Sequence, residues 1–400
     1  MDRNKAFTTL SKLISGSALT AEDLLLATAA EKDLLLHSAC QSGATRDELT
    51  RMIGFIPDAV MLVHPRSMED VLNRCSFLRE MDPVCRTQFL EGLWPLVLDR
   101  ATYEKLNILI LTLPLLPEYW FPDVNNREKH RHNTQVKEKS WQDALDILAC
   151  IERAFGLMPI ILGALTGRMT KFLKHSGIES PLVTGTTLTP IIIGEMIDKI
   201  ASSTQESPSD WKISLIGGAG EMGRKILLWL DKRGLANNLL VVEANEQEIR
   251  RLKSLFPEEE GFNFTCTCDL GEIKDSKIVI VATAAPNAII TQDILSPNTV
   301  IIDDTHPSNV AKDVTNTVFR VMAIVPGLKY EFPMDQKEPG EVVTCFAEGI
   351  LLAGAQEAFI FYEDDSTTPW YKKQTVAIAW INQRIGQFGN AVTSSLRKSI

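Results

Sequence analysis

Two groups of residues in this chain have types and spacings suited to chemistry. The first is Gly217-Gly218-x-Gly220-Glu221-Met222-Gly223, with Glu243 about 20 residues further on. Small residues let a backbone turn tightly and approach a pyrophosphate. A helix opening directly behind them aims its N–H groups at the phosphate charge. A carboxylate at Glu243 would hydrogen-bond the adenosine ribose hydroxyls and repel a 2′-phosphate. The pattern therefore predicts a nicotinamide dinucleotide, NADH or NADPH, with NADH favoured; Arg250 and Arg251, one turn on, are the cations that could still reach a phosphate. Thr283, just past a strand candidate, joins this cofactor set. The second group is Thr344-Cys345-Phe346-Ala347-Glu348. Thr344 reads as the N-cap of a helix with Cys345 in its first turn and Glu348 near a capping-box position. There the positive end of the helix dipole favours a thiolate, the nucleophilic form of the side chain. His306, in a turn beyond a strand, is a candidate proton donor.

The remaining chain must position these residues. At 400 residues it is long enough for two or three domains, and 45% hydrophobic with 23% charged is globular composition. A net charge of −10 argues against nucleic acid as a partner. The longest apolar runs, Ile108–Leu116 and Pro159–Leu165, fall far short of the ~20 residues of a membrane span. The N-terminus has no apolar signal core, so the expected compartment is cytoplasmic. Cys266 and Cys268 form a CxC without a second Cys/His pair, so no metal site is expected and the cysteines read as reduced thiols.

Residues 1–57 read as a small helical extension. Residues 58–208 alternate strand and helix, an α/β substrate domain with a largely parallel sheet. Within it 84–105 reads as helix, Ser140–Phe155 as an amphipathic helix and Asn125–Ser140 as a basic loop. The polar stretch Ala201–Asp210 reads as a domain boundary. Residues 209–335 then supply six strand candidates, the last at Val321–Val325, for a Rossmann-type doubly wound parallel sheet. Residues 336–400 read as a helical segment carrying Cys345. The fold class expected is thus two α/β domains with helical pieces at both ends.

Several motifs, in order, carry a family likeness. Cys345-Phe346-Ala347-Glu348-x-Ile350-Leu351-Leu352 resembles a segment of the long-chain acyl-acyl-carrier-protein reductases, which make fatty aldehydes. Gly217-x-x-Gly220-x-x-Gly223 with Trp229-Leu230-Asp231 is similar to that family's cofactor loop, and Leu62–Met81 to its first strand and helix. Ile302-Asp303 with Pro307-x-Asn309, and Thr184-Gly185-x-Thr187-x-Thr189, resemble two further family stretches. The likeness covers residues 58–400 in patches. It departs at Asn245, where the family has a basic residue, and at Leu188, where it has a histidine. What the resemblance implies is NAD(P)H-dependent reduction of an acyl thioester to an aldehyde, through an acyl group carried on Cys345. The acyl donor would be an acyl-carrier protein or acyl-CoA, with Thr184, Gly185 and Thr187 on the substrate side. An alternative is a shikimate-dehydrogenase-like NAD(P)-dependent dehydrogenase of a small carbonyl or hydroxy substrate, with no covalent step. A third reading is a non-catalytic dinucleotide-binding scaffold.

Overall fold

The computed structural model describes residues 40–41, 43–74, 76–93, 95–121, 126–257, 261–285, 287–306, 308–330, 340–354 and 393–394. The expected helix before Cys40 lies outside the described residues, as does that over Pro369–Ser395 except at Thr393–Ser394, which form a strand instead. The chain divides into two units. The first takes the chain up to Leu182 and returns for the strand Lys329–Tyr330; the second takes Val183–Leu328 and the described residues from Gly340 on.

In the first unit, α1 (Arg46–Ile53) opens on a true capping box, in which Glu48 and Thr45 exchange side-chain and backbone hydrogen bonds. Then follow β1 (Ala59–Val63), α2 (Met68–Arg74), α3 (Pro83–Gly92), β2 (Leu96–Tyr103), β3 (Leu106–Thr112), α4 (Arg127–Phe155), β4 (Ile160–Leu162), α5 (Thr170–His175) and, at the junction, β5 (Leu182–Val183). The sheet order is β13-β2-β3-β1-β4-β5, where β13 is Lys329–Tyr330. β1 runs parallel to β3 and β4, whereas β2 is antiparallel to β3 and β13. The parallel part is therefore the middle of the sheet, with an antiparallel hairpin towards one edge.

Two sequence expectations fail here. Residues 84–105 are not one helix: α3 stops at Gly92, and in β2 every second residue from Asp99 to Tyr103 is buried, the period of a strand. Nor is Asn125–Ser140 a loop. α4 begins at Arg127, capped by Asn126, whose side chain accepts from the Lys129 N–H at 3.0 Å. Its first half is largely exposed and polar, so an apolar stripe shows only from Ser140, where Ala144, Ile147, Leu148 and Ile151 enter the core.

In the second unit, α6 (Leu188–Thr204) is followed by β6 (Ile213–Ile216), α7 (Glu221–Lys232), β7 (Leu239–Val242), α8 (Glu246–Leu255), β8 (Thr265–Thr267), β9 (Ile278–Val281), β10 (Val300–Asp303) and β11 (Thr317–Arg320). The strand order is β11-β10-β9-β6-β7-β8, and each neighbouring pair is parallel. This is the doubly wound order in which the chain reverses direction beside the first strand. β6, β7 and β9 are buried along their whole length, as strands covered on both faces must be.

The two units part at Leu182, not in Ala201–Asp210. That polar stretch is the end of α6 plus a short 3₁₀ turn. α6 packs on α7 so closely that a Cβ on Gly194 would lie 2.8 Å from an Arg233 guanidinium nitrogen, and Arg233 also pairs with Asp198 at 2.7 Å. The expected strand Val321–Val325 is not the sixth strand of the Rossmann sheet, a place taken by the preceding residues Thr317–Arg320. β11 ends the Rossmann sheet at Arg320, and β12 (Met322–Ile324) joins a separate antiparallel sheet between β14 (Glu341–Val343) and β15 (Thr393–Ser394). β14 feeds directly into α9 (Thr344–Ala353), the helix that carries Cys345.

Candidate active site

The glycine loop closes as the spacing requires. Gly217 has φ 86°, and a Cβ there would stand 2.8 Å from the Ala282 carbonyl oxygen and 3.0 Å from Thr283 Cβ. Thr283 therefore packs against the loop, with its cofactor group. A Cβ on Gly223 would overlap the Gly217 carbonyl, and one on Gly218 would overlap Val241. Gly220 is the N-cap of α7 and brings no side-chain cap, so the first-turn N–H groups have no side chain of the cap residue over them. Glu221 is exposed and Met222 half-buried on that turn. A cradle in which Gly217, Gly218, Gly220 and Gly223 bring no Cβ, at a helix start without a capping side chain, fits a dinucleotide pyrophosphate.

Glu243 follows β7 and is buried, 7% exposed. One of its oxygens accepts a short hydrogen bond from the Ala219 N–H. Burial raises its carboxyl above the usual range, and that backbone bond opposes the shift. The predicted ribose acid is thus also a brace of the loop. Arg250 and Arg251 are exposed, and Arg251 pairs with Glu248 at 3.3 Å. Arg224 on α7 has its pKa lowered, first by burial and then by the neighbouring Arg251.

Cys345 is buried, 6% exposed, in the first turn of α9. The helix starts one residue earlier than the capping pattern suggests: its N-cap is Val343, which has no capping side chain. Thr344 instead shares a hydrogen bond with the Thr189 hydroxyl at 2.6 Å. Glu348 does not cap its own helix either. Its buried carboxylate accepts from the Thr187 and Leu188 N–H groups at 2.9 and 2.7 Å, closing the start of α6. Gly185, at φ 77°, lies flat against Cys345, since a Cβ there would be 2.8 Å from the Cys345 nitrogen and 2.9 Å from its Cα. The expected substrate residues Thr184, Gly185 and Thr187 therefore gather on the turn that presents the thiol. Lys225 joins this group from α7: its ammonium donates a short hydrogen bond to the Thr186 hydroxyl, which also accepts from Thr184 at 3.1 Å.

His306 stands beyond β10 in a second polar cluster. Asp303, fully buried, accepts from the Thr305 N–H at 3.0 Å and the Ser308 hydroxyl at 2.6 Å, and pairs closely with Arg320. The same guanidinium lies 2.9 Å from one His306 ring nitrogen and 3.2 Å from the other. Asp304 keeps an open edge, yet protein crowds its carboxyl; burial and then the Asp303 charge push it up to about 8, against Arg320. Sequence reasoning passed over Lys225, Thr186, Asp304 and Arg320. The stretch after Gly223 gives Lys225 away only as a helix residue one turn past the cofactor loop. Nothing in the sequence pairs it with Thr186.

Among the described residues no group of His, Cys, Asp and Glu could hold a metal, none of the cysteines is in a disulfide, and no helix is long and apolar enough to cross a membrane.

Residues 199–325 match the family model described as shikimate / quinate 5-dehydrogenase. No curated protein matches the chain. Solved structures with partial likeness include the nucleotide-binding domain of glutamyl-tRNA reductase from Thermoplasma volcanium, at 20% identity and TM-score 0.25, over 33% of this chain and 84% of that one. Shikimate dehydrogenase from Aquifex aeolicus aligns at 12% identity and TM-score 0.29, over 80% of this chain and 97% of that one. Malic enzyme from Pyrococcus horikoshii aligns at 13% identity and TM-score 0.36, over 96% and 87%. The family match spans the whole Rossmann sheet and its glycine loop, which together form a nicotinamide-cofactor domain of the dehydrogenase type.

Proposed function

We propose that the protein is a nicotinamide-dependent oxidoreductase that acts on a carbonyl carbon. The reading is carried by one observation: the family match over residues 199–325 falls on a parallel sheet whose glycine loop fits a pyrophosphate. When bound, the cofactor supplies or takes hydride. In the simpler form of this proposal the enzyme is a shikimate-dehydrogenase-like dehydrogenase of a small carbonyl or hydroxy substrate. The family match favours that form, because it ends at residue 325 and asks nothing of Cys345.

The geometry around Cys345 favours a second form, the acyl-thioester reduction implied by the resemblance. The thiol is in the first turn of a helix without a capping side chain, and the glycine at 185 lets the Thr184–Thr187 loop close directly onto its backbone. As thiolate, Cys345 would attack the thioester carbonyl and release the thiol of coenzyme A or of an acyl-carrier protein. Hydride delivered to the resulting acyl carbon lets the C–S bond break, giving an aldehyde and returning the thiolate. One proton is taken up for each thioester reduced.

Cys345→Ala separates the two forms. The protein is incubated with an acyl thioester without nicotinamide, digested, and the adduct located; turnover is then followed with NADH or NADPH. The second form expects an adduct on Cys345 and, in the variant, loss of aldehyde formation by about a thousandfold or more. An adduct confined to Cys85 or Cys268, both exposed, or full aldehyde formation by the variant, would leave the simpler dehydrogenase.

A further inference from the structure

Lys225 is neither a glycine-loop residue nor part of the resemblance, yet it links the two halves of the site. It sits one turn into α7, its side chain 15% exposed, with Glu221 3.8 Å away and more open at 55%. A lysine so placed on an outer helix would ordinarily extend into water, because its ammonium is strongly hydrated. Here it turns inward and donates to Thr186. Thr186 is itself buried, 8% exposed, and its neighbour Gly185 is the residue in contact with the Cys345 backbone. The loop is pinned on its other side by Glu348 through Thr187 and Leu188, and by the Thr189–Thr344 bond.

The charges around Cys345 make this contact matter. Glu348 lies one helical turn along α9, and its carboxylate is 1% exposed, so a negative charge poorly screened by water faces the same end of the helix. That charge opposes formation of a thiolate. α9 packs on α6, β12 and β14. β12 has no charged side chain, β14 adds only Glu341, another buried acid, and on α6 the first charged residue is Glu195, about 10 Å of helix beyond Leu188. α7 reaches the Thr184–Thr187 loop through the Lys225–Thr186 bond, and carries Glu221 and Arg224 on the same turns as Lys225.

We propose that Lys225 is a positioning residue for Cys345: anchored on Thr186, it holds the Thr184–Thr187 loop against the first turn of α9 and supplies the positive charge that offsets Glu348 there. The inference deepens the covalent form of the proposed function and rests on Cys345 being its nucleophile. It assigns the lysine to thiol chemistry rather than to the cofactor helix on which it lies.

The test is the pH dependence of Cys345 alkylation by iodoacetamide, read by peptide mass in the full chain, for wild type, Lys225→Met and Lys225→Arg. Removing the charge is expected to raise the midpoint by about one pH unit and to slow labelling at pH 7 about five- to tenfold. Arg is expected to restore most of both. A midpoint unchanged in Lys225→Met, or equal losses in Met and Arg, would overturn the proposal. Should the Met variant fail to fold, Thr186→Val, which keeps the lysine but removes its anchor, is expected to raise the midpoint by a smaller amount, and no change would count against us. A lysine-dependent profile with no acyl adduct on Cys345 would remove the thioester reading and leave this inference standing. An adduct together with a lysine-independent profile would do the reverse.

Discussion

Glu243 shows how a single side chain can hold two roles that mutagenesis usually confuses. With a dinucleotide bound as proposed its charge would repel a 2′-phosphate, while one of its oxygens holds the Ala219 N–H. Truncating it to Ala would remove both, leaving a buried donor unsatisfied at a cost of about 1–3 kcal/mol. Glu243→Gln keeps an acceptor and removes only the charge. We expect the wild-type protein to bind NADH at least as well as NADPH, and the Gln variant to gain NADPH affinity about tenfold with little change for NADH; parallel fluorescence titrations measure this. An NADPH preference already present in the wild type and unmoved by Gln would mean that Arg224 or Arg251 dominates the site. The place of Glu243 at the end of β7 was legible in sequence because the offset from the glycine loop is fixed by one helix and one strand. The brace on Ala219 was not, since it depends on which way the side chain turns at the end of β7.

Gly185 marks the contact between two elements, α9 and the start of α6, and glycine is required there twice over. The backbone has φ 77°, and any Cβ would press on Cys345. Gly177 offers a matched control: it has φ 86°, and nothing stands within 4 Å of where a Cβ would be. Gly177→Ala should lose about 1–2 kcal/mol from its backbone conformation alone. Gly185→Ala should lose a further 1–3 kcal/mol or so from overpacking, and Cys345 labelling should fall at least tenfold. Urea unfolding of both variants, with labelling rates, gives the comparison; equal losses would show that the contact with Cys345 is slack. Elements of this kind were legible where their period was clean. β6, α7, β7, β9 and β10 stand where short apolar runs and the glycine loop put them. They blurred where solvent exposure removed the pattern, as in the first half of α4, or where only single breakers separate a helix from a strand, as Gly92 and Pro95 do between α3 and β2. The capping pattern at Thr344 misled for a related reason. Thr344 and Glu348 satisfy partners on α6 rather than on their own helix, and such long-range bonds leave no local spacing to read.

At the scale of the whole molecule the net charge is −10, yet the first two turns of α4 are strongly basic. Arg127, Lys129 and Arg131 are exposed there, whereas Lys137 lies over the Trp141 ring and Lys139 pairs with Asp143 at 3.6 Å. If an acidic carrier protein is the acyl donor, this end of the helix is the surface suited to meet it. Reversing the three exposed charges to Glu should then slow turnover of acyl-carrier protein several-fold at low salt, leave acyl-CoA untouched, and lose its effect as screening shortens the Debye length below ~10 Å. Equal rates on the two donors would leave α4 a solvated helix. The path of the chain has one more consequence. It leaves the first unit after Leu182, comes back to it for Lys329–Tyr330, and leaves again before Gly340, so neither unit is a single stretch of gene. A recombination event that transplanted the contiguous cofactor segment would carry its glycine loop and strand order but not Cys345, Glu348 or the third sheet. A segment that carried Cys345 and Glu348 along with the glycine loop would have to take Lys329–Tyr330 with it, a strand that belongs to the sheet of the first unit.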